Sequence, residues 1–247
     1  MDLAAYHENI SETLARLAGQ QALFDKAAVL MADAVGQGGL IHIIGTDMHT
    51  TSSVDEAFFR FGTLAAINPL FDPSISVTHN AARALYVKDY CDLGTFLVEY
   101  YRNLSKGDAL VLLDNDSRSR LPVEVAKKAA ELGLRVIAIT SKAYTDAMPD
   151  GTGWEAEDGS TLYTMPGVSL VIDNAVPPFD ALDPATGEGW VSAIANSFVL
   201  NALIMAARAE LERRGLPADV WGNFGTPEGA ARNQRLIDAY IDRVKHI

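Results

Sequence analysis

One cysteine in 247 residues, Cys91, excludes an internal disulfide. Basic side chains are also scarce, with 20 lysines and arginines against 32 aspartates and glutamates and a formal charge of −12. A nucleic-acid backbone or an anionic membrane surface requires clustered cations, so neither partner is expected. No apolar run is long enough to span a bilayer. The best, residues 194–209, is interrupted by Asn196, Ser197, Asn201 and Arg208 and reads as a buried helix. The amino terminus lacks a basic segment followed by an apolar core and a cleavage site, so a cytoplasmic protein is expected. No Gly-x-Gly-x-x-Gly follows an apolar strand, which excludes the common dinucleotide class.

What is present is a large apolar fraction, 49 % of the chain, enough for one domain to bury a sizeable core unaided. Apolar residues recur at helical spacing over residues 3–17 and 22–34, and the run Gly36-Gln37-Gly38-Gly39 ends the second helix. Strands are expected at 40–44, 64–67, 109–113, 135–139 and 168–172, with helices at 55–61, 91–103 and 121–132 between them. This alternation predicts an α/β fold, a doubly wound parallel sheet flanked by helices and preceded by an N-terminal helical pair. A loop rich in Pro, Asp and Gly (176–189), a long helix (191–214) and a final helix (227–245) complete the chain. The reading is one domain over 1–247: N-terminal helices 1–36, an α/β core 37–215, and a C-terminal loop and helix 216–247. The acidic stretch 146–160 reads as a surface excursion.

The ligand site of such a sheet lies outside the carboxyl ends of the strands, where amides at a helix start can hold an anion. The apolar strand 109–113 runs into Asp114-Asn115-Asp116-Ser117-Arg118. The strand before Gly45 leads into Thr46-Asp47-Met48-His49-Thr50-Thr51-Ser52-Ser53, and a third strand ends at Thr140-Ser141. Strand, polar turn and helix in this order resemble the sugar isomerase (SIS) domain superfamily over roughly residues 25–215. Asn68-Pro69, Asp72-Pro73, Ile172-Asp173-Asn174 and Arg243-Val244-Lys245-His246 are similar to an uncharacterised bacterial single-domain branch.

The resemblance implies a small sugar or sugar phosphate held by Thr46, Asp47, Thr50, Thr51, Ser52, Ser53, Asp114, Asn115, Asp116, Ser117, Arg118, Thr140 and Ser141. It implies aldose–ketose isomerisation through an enediolate, with no cofactor. Such a reaction needs a base to move a proton between adjacent carbons and donors to steady the developing charge. Glu56 matches by position a glutamate that faces the substrate in related phosphoheptose isomerases. His79 and His49 are the assisting candidates, since an imidazole can shuttle a proton. His42 alternates with Ile41 and Ile43 and reads as a core histidine. The resemblance also implies a homo-oligomer, a dimer or tetramer.

The turns depart from the family pattern, because acids stand where serine and glycine are expected. Two carboxylates about 4 Å from a dianion would cost several kcal/mol at an effective dielectric near 20. Arg118, Arg120 and Lys142 are close enough in sequence to offset them. An unphosphorylated sugar, polyol or sugar acid would instead suit acidic acceptors. Asp47, His49, His79, Asp114 and Asp116 offer donors suited to Zn²⁺ or Mn²⁺, but no pair has a recognised ligand spacing, and no metal is expected. Two alternatives to the isomerase stay open: a carbohydrate-derivative-binding regulatory protein without catalysis, and a lyase or etherase acting on a sugar derivative.

Overall fold

The computed structural model describes residues 1–87 and 90–247. Five parallel strands form one sheet in the order β2-β1-β3-β4-β5: β1 (Ile41–Gly45), β2 (Ile67–Pro69), β3 (Ala109–Leu113), β4 (Arg135–Thr140) and β5 (Val168–Asp173). The order reverses direction from β1, with β2 on one side and β3 on the other. That switch point opens a crevice beyond the carboxyl ends of β1 and β3. Both strands are buried along their whole length between two helical layers, β3 being entirely apolar and β1 interrupted by His42.

Alternate residues feed two cores. Ile41, Ile43, Val111, Leu113, Ile137 and Ile139 pack with α1 (Leu3–Ala18), α2 (Gln21–Gly36) and α8 (Ser192–Arg213). On the other face Ile44, Leu110, Leu112, Val136 and Ala138 pack with α5 (Leu93–Tyr100) and α6 (Arg120–Glu131). Helix α8 has the length and apolar composition of a membrane span, yet Ala195, Val199, Leu200, Leu203, Ile204, Ala207 and Leu211 are buried in the first core. It is a core helix. The carboxy-terminal α9 (Pro227–Tyr240) closes the β2 edge with a third cluster around Trp221, Leu236, Tyr240 and Val244.

Several elements differ from the sequence reading. Strand β2 pairs three residues later than expected, because Leu64 makes an antiparallel bridge to Val220 instead. Pro69, which has no N–H to give, is tolerated because β2 is an edge strand. Helix α3 (Thr51–Ala57) begins four residues earlier than expected. Helix α7 (Lys142–Ala147) was not anticipated, since six residues are too few to show a clear period; α4 (Val77–Val87) carries a non-helical Asn80 near its start. The stretch 146–160 is not a mere surface excursion. It pairs with the entry to α6 through Arg120 N–H to the Trp154 carbonyl (2.7 Å) and Ala156 N–H to the Arg118 carbonyl (3.0 Å).

His42 is a buried core histidine with both ring nitrogens engaged. Nε2 lies 3.0 Å from Asp108 Oδ2 and Nδ1 lies 2.9 Å from Asn68 Nδ2. Since an amide NH₂ can only donate, Nδ1 accepts and the Nε2 proton goes to Asp108. This network ties β2, β1 and the start of β3 together beneath the crevice.

Candidate functional site

Beyond the ends of β1 and β3 lies a cavity of about 760 Å³. The turn after β1 supplies Thr46, Asp47, Met48 and His49, and α3 supplies Thr51, Ser52 and Asp55. The turn after β3 supplies Asp114, Asn115, Asp116 and Ser119. Gly45 permits the first turn to fold back so sharply, for a Cβ there would meet the Thr50 carbonyl carbon at 2.5 Å.

The carboxylates of these turns hold the turns' own amides. Asp47 Oδ1 accepts from the N–H groups of His49 (2.7 Å) and Thr50 (2.8 Å), and its Oδ2 accepts from that of Asn115 (2.9 Å). Asp114 Oδ1 accepts from Asp116 N–H (2.9 Å), and Asp114 Oδ2 accepts from the Thr46 hydroxyl (2.5 Å). Asp116 Oδ1 accepts from Arg118 N–H (2.9 Å) and its Oδ2 from the Ser119 hydroxyl (2.6 Å). At the start of α8 the same thing occurs: Asp180 takes the N–H groups of Val191 (2.8 Å) and Ser192 (2.7 Å) and the Ser192 hydroxyl (2.6 Å). Amides that could surround an external anion are thus occupied by internal ones.

Crowding these acids together has a cost that appears in their ionisation. Burial pushes the Asp114 carboxyl well above the usual carboxylate range, and the neighbouring Asp47 and Asp116 charges add to the rise. Burial also raises Asp47, against the three amides that favour its charge. Asp55 is raised by burial and by the adjacent Glu56. The Tyr144 phenol, on the opposite wall, is pushed up by burial and then by Asp47, Asp114, Asp116 and Asp180, so it stays a neutral hydroxyl.

Among the described residues lining the cavity there is no lysine or arginine. The cations expected to offset the acids point elsewhere. Arg118 reaches Asp150 (2.6 Å), Glu155 (3.4 Å) and the Met148 carbonyl (3.0 Å); Arg120 reaches Glu157 (3.8 Å); Lys142 pairs with Asp146. Their acidic partners lie in the stretches after β4, where a −12 chain has carboxylates to spare for every nearby cation.

The remaining candidates divide between cavity and scaffold. His49 lines the cavity and is exposed, whereas exposed His79 lies beside the lining residues Val77 and Thr78 without being one itself. Glu56 is not a lining residue either: its side chain is 56 % exposed and pairs with Arg60 one turn along. Thr50 Oγ1 bonds to the Leu113 carbonyl (3.1 Å) and steadies the first turn. Ser117 meets the Thr145 hydroxyl (3.1 Å), and Ser141 bonds to the Val176 carbonyl (2.6 Å) while capping α7. Thr140 Oγ1 and Ser53 Oγ are buried without a hydrogen-bond partner and lie outside the cavity lining. Among the described residues no three His, Cys, Asp or Glu side chains are arranged to hold a metal ion.

Asn115 is supported from below by two more amides. Asn174 Nδ2 donates to Asn115 Oδ1 (2.9 Å) and to Asn196 Oδ1 (2.8 Å), while Asn196 Nδ2 donates to Asn115 Oδ1 (3.1 Å). This buried ring fixes the β3 turn against β5 and α8. Sequence reasoning missed Tyr144, Trp154, Phe179, Asp180 and Trp190, all of which line the cavity. The aromatic residues in two polar loops, 146–160 and 176–190, were the available signal.

The topology defines an open α/β protein with a cavity at its switch point. The SIS domain model matches residues 5–141, and the chain belongs to the SIS domain family. It is 27 % identical over 245 residues to a UPF0309 protein of Geobacillus kaustophilus, covering 97 % of this chain and 94 % of that protein. A UPF0309 protein of Brucella canis is 28 % identical, with 96 % of each chain covered. Among solved structures, phosphoheptose isomerase from Neisseria gonorrhoeae superposes with a TM-score of 0.52 at 17 % identity, over 83 % of this chain and 97 % of that one. A phosphoheptose isomerase from Francisella tularensis gives 0.50 at 14 % identity, over 83 % and 95 %. These likenesses establish the SIS fold.

Proposed function

We propose that this SIS-domain protein binds an unphosphorylated sugar derivative in the cavity beyond β1 and β3 and interconverts its aldose and ketose forms. The observation that carries the ligand class is the capture of the turn amides by Asp47, Asp114, Asp116 and Asp180. A phosphate entering here would displace its own donors' partners and face several carboxylates. One such charge pair 4 Å apart, at an effective dielectric near 20, is worth about 4 kcal/mol. Sugar hydroxyls instead donate to those carboxylates, and the rings of Trp154, Trp190 and Phe179 offer apolar faces to the carbon skeleton.

The chemistry this lining supports is acid–base catalysis. Moving a proton between adjacent carbons needs one group that holds a proton and one that takes it. Burial and the neighbouring acids raise Asp114 well above the usual carboxylate range, which makes it the proton donor toward a carbonyl oxygen in this reading. His49, exposed within the cavity, is the base in this reading; Glu56, paired with Arg60 outside it, is not. The same position of Glu56 favours a second reading, a sugar-binding regulatory protein without turnover. A cytoplasmic location and a homo-oligomeric state belong to the same proposal.

Proton exchange in D₂O tests it. With pairs of free and 6-phosphorylated aldohexoses, deuterium is expected at C2 of a free sugar, followed by ketose signals in the proton NMR spectrum. Exchange with phosphorylated members alone contradicts the ligand class. Saturable binding without exchange favours the regulatory reading.

A further inference from the structure

We propose that the ligand of this cavity carries an ammonium group, making it an unphosphorylated amino sugar or a polyhydroxylated amine of similar size. This deepens the reading of the cavity as a carbohydrate site and rests on it. Asp47, Asp55, Asp114, Asp116 and Asp180 come from four separate segments of the chain and line one cavity. Three nearby cations make their ion pairs outside the cavity: Arg60 with Glu56, Arg118 with Asp150 and Glu155, and Lys142 with Asp146. Among the described lining residues there is no lysine or arginine to compensate these acids, and His49 is the basic side chain beside them.

Hydrogen-bond supply leads to the same ligand. Because the turn amides already have acceptors, the deep wall presents chiefly carboxylate oxygens, which have lone pairs left over. A ligand must then bring donors. A hydroxyl brings one, whereas an ammonium brings three together with a charge of the right sign. The cavity's aromatic residues, Phe71, Tyr144, Trp154, Phe179 and Trp190, form an independent second feature. Ring faces attract a desolvated cation as well as the apolar face of a sugar. A divalent metal would also suit carboxylates, but no three of these acids are arranged to share one.

Isothermal titration at pH 7 with D-glucosamine, D-galactosamine and D-mannosamine, each beside its parent hexose and its N-acetyl form, tests the assignment. At least one amine is expected to bind tenfold or more tightly than both neutral counterparts, since acetylation keeps the nitrogen and removes the charge. Neutral members binding as tightly as the amines overturn the ammonium assignment and leave the carbohydrate reading intact. If only the 6-phosphates of these sugars bind, or none of the sugars does, both fall. Asp116→Asn is expected to weaken the amine severalfold more than it weakens the neutral sugars. Asp55→Asn, an exposed lining residue whose backbone carbonyl alone serves the fold by accepting from Phe58 N–H, is expected to do the same to a smaller extent. An undiminished preference in the folded Asp55→Asn and Asp116→Asn proteins contradicts the proposal.

Discussion

Replacing Asp114 by asparagine removes an acid whose ionised form the fold disfavours, and the hydrogen bonds around it can be kept. Asparagine Oδ1 would accept from Asp116 N–H as Asp114 Oδ1 does now. Its Nδ2 would donate to Thr46 Oγ1, whose own proton has the Leu113 carbonyl at 3.2 Å as an alternative acceptor. Both hydrogen bonds of Asp114 thus have counterparts in asparagine, and the electrostatic change dominates. Asp114 has a folded-state pKa raised above its unfolded value, so the folded state is the one that holds the proton more tightly. Its contribution is fully present below the unfolded pKa, near 3.9, and declines as pH rises through the folded value. Each unit of that rise corresponds to about 1.4 kcal/mol of lost stability at neutral pH. For a chain of this size 1 kcal/mol moves Tm by about 2–4 °C. Asp114→Asn is therefore expected to raise Tm by several degrees at pH 7.5, with the gain vanishing near pH 4. Thermal unfolding followed by circular dichroism from pH 4 to 8 measures both limbs. A variant that is less stable than the wild-type protein at pH 7.5, or a gap that does not change with pH, would refute the reasoning.

Three further outcomes follow from other parts of the molecule. Asn174→Leu strips the donor from Asn196 Oδ1 and the acceptor from Val176 N–H (3.2 Å), while Asn115 Oδ1 keeps Asn196 Nδ2, and each buried group left unpaired costs about 1–3 kcal/mol. Chemical denaturation should show a lowered midpoint at unchanged slope. Burial of Asp108 is outweighed by hydrogen bonds from His42, Leu40 and Ser105, which hold its carboxyl below the usual range. Its stabilising contribution is present above the unfolded pKa and lost as pH falls through the folded one, so Asp108→Asn should flatten the acid limb of a stability–pH curve below about pH 4. Asp47→Gly releases the amides of His49, Thr50 and Asn115; phosphate titration should then reveal an affinity gained at the expense of Tm, and a variant with neither change contradicts the assigned role of Asp47.

The firmest parts of the sequence reading were set by local chemistry. Residues 109–113 carry no polar side chain, and a strand of that kind can only lie between two apolar layers, so its place in the sheet was readable. The positions of Asp47, Asp114 and Asp116 at strand ends were readable for the same reason. What they do was not, because each side chain turns toward amides whose directions are fixed by the backbone of the turn. The directions of Arg118 and Lys142 were hidden too, decided by acids 32 and four residues away. Trp154, Asp180 and Trp190 reach the cavity from excursions after β4 and β5, and nothing in their local periodicity marks them as ligand-facing. The resemblance to SIS proteins pointed to Glu56, while the helix delivers Thr51, Ser52 and Asp55 to the cavity and leaves Glu56 to Arg60.

The central claim is that carboxylates of the chain itself stand where a phosphate would otherwise be held. Thermal stabilisation of the wild-type protein by paired free and 6-phosphorylated sugars, amino sugars included, tests it most directly. A ligand at 100 times its dissociation constant stabilises by about 2.7 kcal/mol, which is readily seen as a shift in Tm. A shift with an unphosphorylated member, and a smaller one or none with its 6-phosphate, is the expected result. A shift confined to the phosphates would mean that Asp47, Asp114 and Asp116 give up the turn amides on binding, and would contradict the account.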